Sequence, residues 1–111
     1  MTMADTKREK LLEQIRLFNK EMDWEKFHTA PNIAKSISIE AGELLECFQW
    51  DDEYDLQEVS DELADVYSYV LMMADEIGVE LDEITMAKLE KTKEKYPAEK
   101  FKGISTKYNK L

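Results

Sequence analysis

The chain has almost nothing with which to cross-link itself or to bind a soft metal. Of its 111 residues, one is cysteine (Cys47) and one is histidine (His28). A single Cys excludes an intrachain disulfide and a Cys-rich zinc site. A single His excludes a multi-histidine metal centre within one chain. Three Gly and two Pro are too few for a turn-rich β-sandwich or barrel. No apolar run reaches the length of a membrane span and no signal-peptide pattern opens the chain, so a soluble, cytoplasmic protein with no membrane partner is expected. Cations are scarce as well: 15 Lys+Arg stand against 25 Asp+Glu, a formal net charge of -10. That balance argues against a nucleic-acid partner, which needs a basic footprint.

What is present points to helices. The hydrophobic fraction of 43% excludes wholesale disorder, and the length suits one domain. Leu11, Ile15, Phe18 and Met22 recur at helical spacing behind a capping-box pattern, Thr6-Lys7-Arg8-Glu9, which predicts a first helix over about 6–22. Asp23 to Ala30 lacks the period and reads as a connection. Pro31 suits the first turn of a second helix, whose stripe of Ile33, Ile37, Ala41, Leu44 and Phe48 runs to about Trp50. Asp55 is the candidate cap of a third helix carrying Val59, Leu63, Val66, Val70, Met73 and Ile77, which Gly78 can end in the left-handed conformation. A fourth helix is expected over about 81–95, before Pro97. The expected organisation is a helical bundle domain over 1–97 followed by a Lys-rich, irregular tail over 98–111. The second and third helices, joined by a short loop, should pair antiparallel.

Charge is unevenly spread. Residues 40–90 hold 17 acidic residues and one basic, Lys88. In so acidic a chain a bare Glu-x-x-Glu means little, and the phase is the informative part. At about 100° per residue, Glu40 falls roughly 60° from Ile37, between Leu44 and Cys47, where a hydrophobe belongs. Glu43 flanks the same face and Glu46 points away from it. On the third helix Glu62 falls inside the apolar face set by Val66, with Asp65 at its edge and Tyr69 on the same side. Two facing helices thus each offer one inward and one flanking carboxylate.

Two carboxylates about 4 Å apart repel by roughly 4 kcal/mol at an effective dielectric near 20. Four together must be protonated or neutralised. An all-oxygen set without His or Cys selects Mg²⁺ or Mn²⁺ before Zn²⁺ and suits a phosphorylated substrate. The alternative is that the inward glutamates pair with lysines such as Lys88 or Lys91, or sit at a wet subunit seam. Lys88, Lys91, Lys93 and Lys95 are mostly a solvated face, with one or two reaching phosphates. Met72, Met73 and Met86 read as core or interface filler, and Cys47 as packing.

The strings Asp23-Trp24-Glu25-Lys26-Phe27-His28, Pro31-Asn32, Glu40-Ala41-Gly42-Glu43-Leu44-Leu45-Glu46-Cys47-Phe48-Gln49-Trp50, Asp61-Glu62-Leu63-Ala64-Asp65-Val66 with Tyr69, and Lys95-Tyr96-Pro97 resemble the all-α nucleoside triphosphate pyrophosphohydrolases of the MazG type, in particular their dCTP-pyrophosphatase-like branch. The match spans about residues 10–97. The paired carboxylate motifs are generic to that superfamily, and the Trp-x-x-Phe-His and Phe-Gln-Trp elements are more specific. The resemblance implies an all-α four-helix bundle assembled as a homodimer or homotetramer with sites at subunit contacts. It implies hydrolysis of an NTP or dNTP to the monophosphate and pyrophosphate. It also implies Glu40, Glu43, Glu62 and Asp65 as Mg²⁺ ligands, and Trp24, His28, Trp50 and Tyr69 as nucleotide contacts. Phe27 and Asn32, from the same strings, and Lys88 complete the candidate substrate contacts. Glu43 is the candidate general base and Glu46 its alternative. Three positions depart from the pattern. Ile39 stands where the wider family has a further Glu. Ile15 stands where the dCTP branch has a substrate-contacting His, and Thr92 where it has an Asn. The last two bear on cytosine specificity rather than on hydrolysis. Other readings are a non-catalytic acidic oligomerisation or protein-binding module, and a related pyrophosphohydrolase acting on dUTP or phosphoribosyl-ATP.

Overall fold

The structure, a computed structural model, describes residues 3–103. Its elements in chain order are α1 (Met3–Glu21), a 3₁₀ turn (Glu25–Phe27), α2 (Ala30–Glu46), α3 (Leu56–Ile77), α4 (Leu81–Lys95) and a short α5 (Ala98–Phe101). Every regular element among the described residues is helical, as the composition required. No helix there is long and apolar enough to cross a membrane. The chain forms two compact units, Met1–Gly78 and Val79–Leu111.

Local chemistry explains most of the boundaries. Helix α1 begins at Met3, ahead of the expected start, so Thr6 occupies its first turns instead of capping it; the Thr6 side chain lies outside the described residues. At the other end of α1, Asp23 adopts a left-handed φ of 57°. The Trp24 amide donates to the Asn19 carbonyl (2.8 Å) and the Asp23 amide to that of Lys20 (3.1 Å). This pair of bonds is a Schellman motif, which consumes carbonyls the helix end would otherwise orphan. Its usual hydrophobic clasp is here the Trp24 ring, edge-on against Phe18 at 5.4 Å.

Thr29 caps α2, its Oγ1 accepting from the Asn32 amide at 3.4 Å, with Pro31 in the first turn. The helix ends at Glu46, four residues before the expected Trp50. From there the chain tightens: Cys47, Phe48 and Gln49 donate three residues back, to Leu44, Leu45 and Glu46. The last turn of α2 carries no basic residue, and Asp51, Asp52 and Glu53 follow. Acidic side chains at the negative end of a helix dipole disfavour further helical turns. The apolar spacing that reaches Phe48 is spent on the connection, where that ring meets Tyr54 at 5.3 Å.

Asp55 caps α3 as expected, its Oδ1 accepting from the amides of Gln57 (2.8 Å) and Glu58 (3.2 Å). Gly78 ends the helix at φ 74°, a conformation that costs glycine nothing. Glu80 caps α4 by accepting from the Glu83 amide at 2.7 Å. The stretch after Pro97, expected irregular, holds α5, whose Phe101 packs edge-on against Tyr96 at 5.2 Å. Residues 104–111 of the expected tail lie outside the described residues.

Within Met1–Gly78 the dominant packing is α2 against α3, with α1 lying along α3. The buried core is thin: Ile33 of α2 with Leu71 and Ala74 of α3. The residues that meet give the directions. Ile33 near the start of α2 is buried together with the far end of α3, so the two helices run antiparallel. Arg16 bonds Asp75 while Asn19 reaches Met72, so α1 and α3 are antiparallel too.

Candidate active site

One turn separates Glu40 from Glu43 on α2, and one turn separates Glu62 from Asp65 on α3. Antiparallel pairing brings the two turns level. One carboxylate oxygen from each of the four residues lies within 4.8 Å of all the others. Glu40, Glu43 and Glu62 are half-buried and Asp65 is exposed; Glu43, expected to flank the face as Asp65 does, is as covered as the inward pair. Within this unit and among the described residues, none of the four is ion-paired. Oε2 of Glu40 and Oε2 of Glu62 are buried without a hydrogen-bond partner.

Burial and crowding act on the same groups. Burial pushes the Glu40 carboxyl up to about 7, helped by a hydrogen bond of its protonated form to Glu43 and by the charges of Glu43, Asp65 and Glu62. Glu62 is raised for the same reasons, burial first and then Glu43 and Asp65. A buried polar atom without a partner costs about 1–3 kcal/mol, and more when charged. Folding has therefore built a site that is electrostatically incomplete by itself. Two orphaned oxygens and an all-carboxylate donor set fit a hard divalent cation, which would satisfy both and cancel the repulsion.

Beside the carboxylates lies a cavity of about 330 Å³, lined by Asp65, Ser68, Tyr69 and Met72 of α3, Gln14, Ile15, Phe18 and Asn19 of α1, and Trp24 and His28. The Schellman turn sets Trp24 at its wall. The Tyr69 and His28 rings meet edge to face with centroids 6.4 Å apart. Asp65 belongs to both the cluster and the cavity, so a molecule in the cavity reaches the carboxylates. An apolar, aromatic-walled cleft with a few convergent polar groups is the usual form of a small-molecule site.

Trp24, His28 and Tyr69 are thus brought together with the four carboxylates, and the remaining sequence candidates within Met1–Gly78 are not. Trp50 is 90% exposed on the connection after α2 and Phe27 is 57% exposed. Asn32 donates its side-chain amide to the Phe27 carbonyl at 2.8 Å, which fixes the turn carrying His28. Glu46 is exposed and outside the carboxylate group. Lys88 stands on α4, in the other unit. Sequence reasoning missed Asn19, Ser68 and Met72 as cavity residues. For Asn19 the signal was present: it lies about 40° from Ile15, a polar residue inside the apolar stripe of α1, the same anomaly that singles out Glu40 and Glu62.

The chain is similar to several known proteins. Residues 35–111 match the model of the MazG-like family. Human dCTP pyrophosphatase 1 is 34% identical over 117 aligned residues, covering 93% of this chain and 69% of that protein. The mouse enzyme of the same name is 31% identical with the same coverage. Among solved structures, a pyrophosphatase from Archaeoglobus fulgidus superposes with a TM-score of 0.72 at 41% identity, covering 80% of this chain and 91% of that one.

Proposed function

The chain belongs to the MazG-like family, and on that premise we propose that it is a nucleoside triphosphate pyrophosphohydrolase. It would convert dCTP or a modified deoxynucleoside triphosphate to the monophosphate and pyrophosphate, as a cytoplasmic cleanser of the nucleotide pool. The observation that carries this reading is the set of four converging carboxylates, two with orphaned buried oxygens, opening on an aromatic-walled cavity.

In this reading Glu40, Glu43, Glu62 and Asp65 hold Mg²⁺, with Mn²⁺ as a substitute. Bound there, the ion supplies charge neutralisation and Lewis acidity to the triphosphate. The chain's own residues bind and orient. Trp24 and Tyr69 offer ring surface to the base. His28, against Tyr69, donates to the sugar or a phosphate oxygen. Water attacks a phosphorus of the α–β anhydride, its oxygen forming the new bond as the bridging bond breaks. The group on the far side of that bridge leaves with the bonding electron pair: pyrophosphate for attack at the α-phosphorus, the monophosphate for attack at the β-phosphorus. Glu43 accepts the water's proton, its helical phase setting it at the edge of the apolar face. Glu46, one turn further on and exposed, is the alternative base.

A homodimer or homotetramer is part of the proposal. Leu56, Leu63 and Tyr67 are 71%, 55% and 42% exposed along α3, and apolar exposure of this kind marks a partner surface. Phe27 and Trp50, exposed in the single chain, contact substrate in such an assembly.

Pyrophosphate release from a panel of canonical and modified dNTPs and NTPs, with Mg²⁺ and then with chelator, tests the reading. Mg²⁺-dependent release of pyrophosphate and monophosphate is expected, with dCTP or a modified deoxynucleotide ranked first. Release of single phosphate, or no turnover on any nucleotide, would overturn it.

A further inference from the structure

The cavity holds one half-buried carboxamide whose hydrogen-bonding capacity is largely unused. Asn19 projects from α1 into the lining shared with Ile15, Phe18 and Met72. Its Nδ2 donates across to α3, to the Met72 sulfur at 3.8 Å. A thioether is a weak acceptor, so this contact orients the amide more than it satisfies it. With the nitrogen turned toward Met72, the carbonyl oxygen on the other arm of the planar amide is the unspent group. No hydrogen bond to Oδ1 is made among the described residues. The neighbouring walls from Ile15, Phe18 and Met72 are apolar, so water competes poorly for that oxygen once the cavity is filled.

We propose that Asn19 is a specificity-determining residue of this site, its Oδ1 accepting a hydrogen bond from the exocyclic amine of a cytosine-type base. The inference rests on the nucleotide reading above and adds to it the group that tells an amino-bearing pyrimidine from its oxo counterpart. A base with a carbonyl in that position would set two acceptors against each other. Sites that hydrogen-bond a substrate polar group discriminate far more strongly than apolar pockets that sense only size. Ser68 and Gln14 also line the cavity, but Gln14 is exposed to solvent and Ser68 both donates and accepts. Asn19 alone is oriented by a contact between two helices.

The test compares cytosine with uracil in the full chain in two ways: kcat/KM for dCTP and dUTP, and equilibrium affinity for their non-hydrolysable α,β-imido analogues. Wild type should favour cytosine by about 10-fold or more in both. Asn19→Leu, close in size but without the acceptor, should bring both ratios to within about 3-fold of unity. Asn19→Asp, which keeps an acceptor, should retain the preference for cytosine. Unchanged ratios in Asn19→Leu, or a wild type indifferent to the two bases, would overturn the inference. Cytosine-selective binding that Asn19→Leu abolishes, without any turnover, would support Asn19 and overturn the hydrolase reading instead. Neither binding nor turnover in wild type would overturn both.

Discussion

Helix α3 carries Asp65 and Asp75 ten residues apart, and the two sit in opposite electrostatic settings. Asp75 is met by Arg16, whose guanidinium donates to it from both Nε and Nη2, the former at 3.0 Å. Asp65 is met by Glu40, Glu43 and Glu62. The first carboxylate comes with its counter-charge, and the second comes with three more of its own sign. A structural acid is neutralised by the fold itself, here in a fork-to-fork pair that ties α1 to α3. An acid placed for chemistry is left for something outside the chain to neutralise. The comparison separates two uses of the same side chain on one helix, and it also predicts how each responds to perturbation.

The sharpest way to break it is to remove charge at the cluster. Asp65→Ala or Glu40→Gln should lower kcat/KM for nucleotide hydrolysis by more than about 100-fold, beyond what loss of an outer-shell partner costs. Either change should at the same time raise the melting temperature of the metal-free protein, because it relieves repulsion. Activity measured beside metal-free thermal melts checks both halves. An active variant would sink the catalytic assignment, and a melting temperature that falls would sink the repulsion argument.

Next in size is the response to pH. Glu40 titrates near 7 in the folded chain and close to an ordinary glutamate, about 4.3, when unfolded. Between those values the folded state holds a proton that the unfolded state has released. Folding of the metal-free protein is therefore favoured at low pH, and that contribution is lost as pH rises to about 7. Divalent-cation affinity should move the other way, strengthening through the same window as the ligands deprotonate. Chemical denaturation at pH 5, 6, 7 and 8, without and with Mg²⁺, reads both trends.

The smallest effect belongs to the paired acid. Arg16 and Asp75 are exposed at the surface, and such pairs contribute about 0–1 kcal/mol. Arg16→Ala should shift the unfolding midpoint slightly and lower it, the opposite sign to Asp65→Ala. If Arg16→Ala stabilised the chain as removal of a cluster charge does, the contrast between the two aspartates would collapse.

The sequence carried much of this site because the relevant signals were periodic. Glu40 and Glu62 stand out by occupying apolar phases, and Asp55 and Gly78 mark the ends of α3 by established capping chemistry. Where local signals competed, the outcome was less visible. Phe48 continues the apolar stripe of α2, yet the helix stops at Glu46 ahead of three acidic residues. The end of α1 carries no glycine, and its left-handed residue is Asp23, a residue type that tolerates this conformation better than its neighbours but marks a helix end less plainly than Gly78 does. That turn sets Trp24 against Phe18 and so shapes the cavity. Asn19 carried the same periodic signal, a polar residue inside the apolar stripe of α1, and antiparallel packing of α1 on α3 gives it a place beside Met72 and the cavity.

The central claim is that the four carboxylates await a divalent cation that the folded chain alone does not replace. Melting temperatures of wild type and of the Glu40→Gln/Glu62→Gln variant, with chelator and with 10 mM Mg²⁺, test it most directly. A site with a dissociation constant about 100-fold below the free ion concentration contributes roughly 2.7 kcal/mol, or on the order of 10 °C for a domain of about 100 residues. The account predicts a rise of several degrees in wild type and almost none in the variant, which should already melt higher than wild type in chelator. An equal Mg²⁺ response in both proteins, or none in wild type, would contradict it.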